Sequence, residues 1–160
     1  MEIRLAAIDD AQVIYDIEQQ SFSVPWSLES VLAELEGADN KLYMVICEDN
    51  HIVGYAGAWL VYDEGQITNI AIIPSARGKG YGSELTKQLI DECFKRGMHE
   101  IFLEVRISNL PALSMYRNLG FSVKGIRKDY YSEPKEDAYI CLLYTSDAAD
   151  ELEGVDLGGR

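Results

Sequence analysis

Cysteine is scarce in this 160-residue chain. Cys47, Cys93 and Cys141 are odd in number, far apart and form no C-x-x-C pair. That excludes a disulfide framework and a zinc-ribbon arrangement. His51 and His99 stand apart from them, so all five side chains are expected to be structural and no metal site is expected. Basic residues are few as well: 14 Lys and Arg face 27 Asp and Glu, for a formal net charge of −13. Broad neutralisation of phosphates needs a surplus of cations, so a nucleic-acid partner is not expected. No apolar run approaches the roughly 18–20 residues of a membrane helix. Met1 to Leu5 lack the basic and apolar regions of a signal peptide, so a cytoplasmic protein without a membrane partner is expected. Internal repeats are absent.

What is present is ordinary globular material. Apolar residues make up 48% and charged residues 26%, a composition typical of a folded domain. A chain of this length fits one domain and buries most of its apolar surface without staples. The end differs. Asp147, Asp150, Glu151, Glu153 and Asp156 face only Arg160, a net −4, which leaves −9 through Tyr144. From about Cys141 the run CLLYTSDAADELEGVDLGGR resembles translated sequencing-adapter sequence, which is set aside in fold reasoning. One domain over residues 1–144 and a disordered acidic tail over residues 145–160 are expected. The acidic surface serves solubility and would also steer a basic partner.

Apolar spacing gives the elements. Ile3 to Ala7 reads as a strand, and Asp9 or Asp10 as the cap of a helix to about Gln20 with Val13, Ile14 and Ile17 in its stripe. Pro25 makes Phe22-Ser-Val-Pro-Trp-Ser27 a loop. Ser27 caps a second helix with Val31, Leu32 and Leu35 in its stripe, ended by Gly37. Leu42 to Glu48, Ile52 to Tyr62 and Gln66 to Ile73 read as a meander, with turns at Asp49-Asn50 and Asp63-Glu64-Gly65. A helix to about Arg96 follows, with Tyr81, Leu85, Leu89 and Cys93 in line and Gly97 at its end. Ile101 to Val105 is a buried strand. Asn109 to Leu119 is a helix with Pro111 in its first turn and Gly120 after it. Phe121 to Lys124 and Tyr139 to Tyr144 are the last strands, joined by a loop around Ser132 to Lys135. The order β-α-α-β-β-β-α-β-α-β-β predicts an α/β (α+β) mixed sheet with helices on both faces.

The densest chemical signal is Arg77-Gly-Lys-Gly-Tyr-Gly82, between a strand and a helix. Glycines let the backbone approach a ligand, and free N–H groups at a helix start favour phosphate. A plain tight turn is the alternative, though three glycines and two cations exceed what a turn needs. P-loop spacing is absent. Gly78, Gly80 and Gly82 give G-x-G-x-G rather than the dinucleotide G-x-G-x-x-G, and an antiparallel meander precedes it instead of an opening parallel strand, although Glu100 and Glu104 stand near the expected acid position.

The pattern Arg-x-x-Gly-x-Gly after a strand resembles the pyrophosphate loop of GNAT acetyltransferases. So do Leu103-Glu-Val-Arg-Ile-Ser-Asn109 and Met115-Tyr-Arg-Asn-Leu-Gly-Phe121, and the likeness extends to about Ile140. Within that family, Phe22 to Ser27, Leu103 to Arg106, Tyr130-Tyr131 and Glu136-Asp-Ala138 resemble the RimI-type ribosomal-protein-alanine N-acetyltransferases. The resemblance implies acetyl-CoA as donor and a protein N-terminal amine as acceptor, in that family the alanine of small-subunit ribosomal protein eighteen. It implies pyrophosphate binding by Arg77, Gly78, Lys79, Gly80, Tyr81, Gly82 and Ser83. It also implies that the backbone of Ile70, Ala71 and Ile72 pairs with the pantetheine arm, with Asn109 beside it.

An α-amine with a pKa of about 8 must lose a proton before it attacks a thioester, and the leaving thiolate is helped by a proton donor. A carboxylate in the apolar strand Ile101 to Val105 is costly unless solvated or functional. The resemblance makes Glu104 the general base, and a solvated edge position is the alternative. Tyr116, seven residues after Asn109 and on the same helix face, matches the family's general acid, or is a core tyrosine. Pro25, Trp26, Tyr130 and Tyr131 either shape the acceptor pocket or simply pack. Rival readings are a GNAT enzyme for a lysine, polyamine or aminoglycoside, a non-catalytic acyl-CoA sensor, and a nicotinamide-dependent enzyme. A monomer or weak dimer is expected.

Overall fold

The computed structural model describes residues 1–37 and 39–145. All of the acidic tail but Thr145 lies outside the described residues. The chain runs β1 (Glu2–Leu5), α1 (Ala11–Ser21), α2 (Leu28–Leu35), β2 (Lys41–Glu48), β3 (His51–Val61), β4 (Glu64–Ile72), α3 (Tyr81–Lys95), β5 (Glu100–Arg106), α4 (Leu110–Asn118), β6 (Ser122–Ser132) and β7 (Lys135–Tyr144), with single 3-10 turns at Ile8–Asp10 and Pro74–Ala76. This is the expected order. The seven strands form one sheet, β1-β2-β3-β4-β5-β7-β6.

Side-chain alternation along the central strands divides the interior into two cores. Leu42, Met44 and Ile46 of β2 join Leu85, Leu89 and Cys93 of α3 and Leu113 of α4 on one face. Tyr43, Val45 and Cys47, the intervening residues, join Ile14 and Ile17 of α1 and Val31 of α2 on the other. A strand covered on both faces reads as an unbroken apolar run, as β2 does. All three cysteines are free and buried. Burial pushes the Cys93 thiol up to about 12, so it stays protonated and unreactive.

Turn chemistry sets the meander. Asp49 and Asn50 both take positive φ, 52° and 66°, the conformation a two-residue hairpin turn requires. The next turn is tighter than expected. Tyr62 takes φ 57° and the strand resumes at Glu64, so Gly65 is a ladder residue paired with Leu60. A Cβ on Gly65 would lie 3.4 Å from Cys93 Sγ, an ordinary packing distance, so the position faces α3 and takes no part in the turn.

The departure from regularity lies in β4. Gly57 pairs with Asn69 and Ala58 with Ile67, which leaves Thr68 as the extra residue of a β-bulge. The parallel pairing of β4 with β5 covers only Glu64↔Glu100, Gly65↔Ile101 and Gln66↔Phe102. It stops one residue before the bulge begins, and bulges bend and twist a strand away from its neighbour.

Two expectations are corrected. Asp10 does not cap α1 with its side chain. Its carboxylate accepts from the Ala7 N–H at 2.7 Å and from Arg4 at 2.8 and 3.1 Å, closing the turn before the helix and tying it to β1. The final hairpin is much longer than expected, with β6 spanning 11 residues and β7 10. Residues Cys141 to Tyr144 complete the register with β5, and Cys141 is buried. No helix among the described residues is long and apolar enough to cross a membrane.

Candidate active site

Where β4 and β5 part, a cavity of about 570 Å³ opens between Thr68, Asn69 and Ile70 on one side and Glu104, Val105 and Arg106 on the other. The chemistry-bearing residues of α4 face it. Asn109 accepts the Ala112 N–H at 3.3 Å and so starts the helix. Gly120, at φ 107°, ends it, and the Phe121 N–H returns to the Tyr116 carbonyl at 3.0 Å. This left-handed cap holds Tyr116 edge-on to Phe121, with ring centroids 5.7 Å apart. Asn109 and Tyr116 both line the cavity, as their seven-residue spacing predicts. Burial raises the Tyr116 phenol well above its ordinary pKa. Among the described residues, no group hydrogen-bonds its hydroxyl.

Glu104 lies on the opposite face of β5 from Ile101, Leu103 and Val105, which fill the first core. Its side chain is only 6% exposed. Oε2 accepts from Arg127 Nε at 3.1 Å and Oε1 from Gln66 Nε2 at 3.4 Å. The solvated-edge alternative therefore does not hold: the carboxylate is enclosed and directed into the cavity.

The remaining walls come from the loop before α2 and from the last hairpin. The Trp26 N–H donates to Glu18 Oε1 at 2.8 Å, and its ring stands edge-on to Tyr43 at 6.3 Å. Tyr130 and Tyr131 meet edge to face at 5.0 Å. The Arg106 guanidinium lies 4.2 Å from the Tyr131 ring centroid. It also donates to the Pro134 and Glu133 carbonyls and to Glu136, whose other oxygen accepts the Ser108 N–H at 2.8 Å. Burial, and then the neighbouring Tyr130, push the Tyr131 phenol up to about 12. Ser23 Oγ donates to the Glu133 carbonyl, joining the loop to the hairpin. A second hollow of about 250 Å³ shares Trp26, Glu104 and Tyr131 and adds Trp59. Pro25 does not line either hollow.

The glycine-rich loop lies outside this cavity, just beyond the end of β4. Gly78 and Gly80 take φ 81° and 82°, and a Cβ on either would meet nothing within 4 Å. The loop is thus an open cradle rather than a packed turn. The N–H groups from Gly80 to Ser83 have no intrahelical acceptor by helix geometry. Arg77 Nε donates to the Ile72 carbonyl at 2.9 Å, bracing the strand end. Lys79 pairs with Glu48 at 3.0 Å, and the Tyr81 hydroxyl donates to the same carboxylate. The residues present fit a pyrophosphate: open space, free donors and cations at hand. Along the strand between cradle and cavity, Ile70 and Ile72 pack against the first core and Ala71 against the second.

The structure therefore brings Glu104, Tyr116, Asn109, Trp26, Tyr130, Tyr131 and Ile70 around one cavity. Sequence reading missed Glu18, Gln66, Asn69, Arg106 and Arg127, whose partners stand far away in the chain. A polar residue at the inward spacing of α1, one turn after Ile14, was the available signal for Glu18. Among the described residues, no cluster of His, Cys, Asp and Glu is arranged to hold a metal ion.

Comparison with known proteins gives the family. Residues 11–121 match the Acetyltransferase (GNAT) family. A Bacillus subtilis relative is 41% identical over 138 residues, covering 86% of this chain and 91% of the relative. The ribosomal protein bS18-alanine N-acetyltransferase of Haemophilus influenzae is 38% identical over 84% of this chain and 92% of its own length. The crystal structure of the Escherichia coli ribosomal-protein-S18-alanine N-acetyltransferase has a TM-score of 0.82 and 33% identity, covering 89% of this chain and 92% of that one. Matched along most of its length in sequence and across its sheet in fold, the chain belongs to the GNAT family of acetyltransferases, enzymes that take acetyl-CoA as their donor.

Proposed function

We propose that this enzyme moves the acetyl group of acetyl-CoA to the N-terminal α-amine of a protein, the alanine of a small-subunit ribosomal protein. The observation that carries this reading is the convergence of Glu104 and Tyr116, from β5 and α4, on the cavity where β4 and β5 part. The names of the Haemophilus and Escherichia relatives support the acceptor. The donor's pyrophosphate is assigned to the backbone N–H groups and cations from Arg77 to Ser83. Its pantetheine arm runs along the free edge of Ile70, Ala71 and Ile72, with Asn109 beside it. Acetyl-CoA supplies an activated thioester carbonyl.

Glu104 takes the proton that the acceptor amine sheds as its nitrogen bonds to the carbonyl carbon. Arg127 and Gln66 hold the carboxylate in place for this. Tyr116 gives its proton to the sulfur as the carbon–sulfur bond breaks. The raised phenol pKa keeps that proton on Tyr116 throughout the neutral range, above the roughly 8.5 of a thiol. A strand-edge N–H near Ile70 stabilises the oxyanion. Trp26, Tyr130 and Tyr131 confine the acceptor's first side chain, which suits alanine. The net −9 through Tyr144 draws in a basic chain and repels nucleic acid. The enzyme acts in the cytoplasm as a monomer or weak dimer.

The test is mass spectrometry of an alanine-starting, arginine-rich peptide carrying one internal lysine, incubated with enzyme and acetyl-CoA. Acetylation is expected on the α-amine alone, with kcat/KM falling as salt rises. Label on the lysine, or equal turnover of a free polyamine, refutes the assignment.

A further inference from the structure

Glu18 sits in the third turn of α1 with 1% of its surface exposed. Among the described residues, no Lys, Arg or His pairs with its carboxylate. Three neutral donors serve it instead, each from a different element. The Trp26 N–H of the loop before α2 reaches Oε1 at 2.8 Å, and Asn69 Nδ2 of β4 reaches Oε2 at 2.8 Å. The Tyr55 hydroxyl of β3 also donates to Oε2, and Asn69 Nδ2 approaches that hydroxyl at 3.1 Å. A buried charge is costly, and apolar packing usually stabilises a fold at least as well. The placement points to a positional role.

The elements joined here are those that shape the cavity. Asn69 directly follows the bulged Thr68 and precedes Ile70, on the stretch of β4 that has already left β5. Trp26 lines both hollows. We propose that Glu18 is a positioning residue that locks the acceptor wall at Trp26 and the bulged strand at Asn69 into one fixed spacing. A carboxylate accepts from all three partners as they stand. A glutamine can keep its oxygen on the Trp26 N–H, but its N–H₂ then faces Asn69 and Tyr55, which must turn their own oxygens toward it and so leave the arrangement seen here. The proposal rests on the acceptor reading above, because it is the acceptor amine whose approach this spacing governs.

Glu18→Gln and Tyr55→Phe test it. Misplacing reacting groups by about an ångström costs on the order of 10²-fold. Folded Glu18→Gln is therefore expected to lose about that much kcat/KM for the alanine-starting peptide, mostly through the peptide's KM, while acetyl-CoA affinity stays within about twofold. Amide exchange at Trp26 should speed up. Tyr55→Phe keeps two of the three donors and the ring, so a loss of about tenfold is expected. It carries the test alone if Glu18→Gln does not fold. Unchanged kcat/KM in whichever variant folds overturns the proposal. So does a parallel loss of acetyl-CoA and peptide affinity, which marks a general weakening of the fold. Wild-type turnover of the peptide is measured first and tests the acceptor reading separately. Should another amine be the acceptor, the same comparison is made with that amine, and the Trp26 exchange rate needs no acceptor.

Discussion

Tyr116→Phe removes one oxygen atom and separates the catalytic from the structural role of this side chain. The ring would keep its place beside Phe121 and in the first core. Among the described residues the hydroxyl has no partner to lose, and a typical buried hydrogen bond is worth only about 0.5–1.5 kcal/mol net. The stability change should thus stay below about 1 kcal/mol, or roughly 2–4 °C in Tm for a domain of this size. A general acid contributes ~10²–10⁴-fold, or about 2.7–5.4 kcal/mol of barrier. The catalytic loss should exceed the structural loss several times over. The assay is thiol release with both substrates saturating, alongside calorimetry for acetyl-CoA and a thermal melt. Because burial raises the Tyr116 pKa, the protonated donor persists as pH climbs. The wild-type kcat should show no loss from phenol ionisation up to about pH 10, the ordinary tyrosine value. A folded variant within threefold of the wild-type kcat would refute the assignment.

Glu104→Gln leaves the shape of the side chain and ends the ion pair with Arg127, whose side chain is 52% exposed. The stability cost should stay within about 1 kcal/mol, while kcat/KM falls ~10²–10⁴-fold and its pH dependence weakens in the range where the acceptor amine deprotonates; a folded variant with unchanged kcat/KM would contradict this. Gly80→Ala and Gly97→Ala form a matched pair at the two ends of α3. Both positions have positive φ, 82° and 96°, and a Cβ at either meets nothing within 4 Å. Each should lose about 1–2 kcal/mol of stability from backbone strain. Only Gly80→Ala should weaken acetyl-CoA binding, by tenfold or more, and equal affinity in the two variants would remove the loop from the pyrophosphate site.

What could be read in the sequence was what neighbouring residues determine. The spacing of Leu85, Leu89 and Cys93, the glycines at 97 and 120, and the Ser27 and Asn109 caps are local signals, and each stands where expected. The misses share a cause. Glu18 looks like any polar helix residue until Tyr55 and Asn69, 37 and 51 positions away, fold onto it. Arg127 reaches Glu104 across 23 positions. β6 is exposed along most of its length and its register slips twice, after Val123 and after Arg127. Its alternation ends at Ile126, and beyond that point pairing with β7 alone makes it a strand. Asp10 has the right identity for a helix cap, but Arg4 on the adjacent strand competes for its carboxylate.

The parting of β4 from β5 has a consequence for how this protein meets other chains. Unpaired strand edges usually lie at the margin of a sheet, where they invite a second copy to add on and aggregate. Here two half-edges lie in the middle of the sheet and face each other across a walled slot, with α4 and the last hairpin around it. A neighbouring sheet has no way in, whereas one slender extended molecule does. A donor that completes those backbone bonds, as proposed above, makes its own affinity part of the folding free energy. A donor present at a hundred times its Kd adds about 2.7 kcal/mol to the native state. On that reading the stability of the folded enzyme rises with the supply of activated acetate.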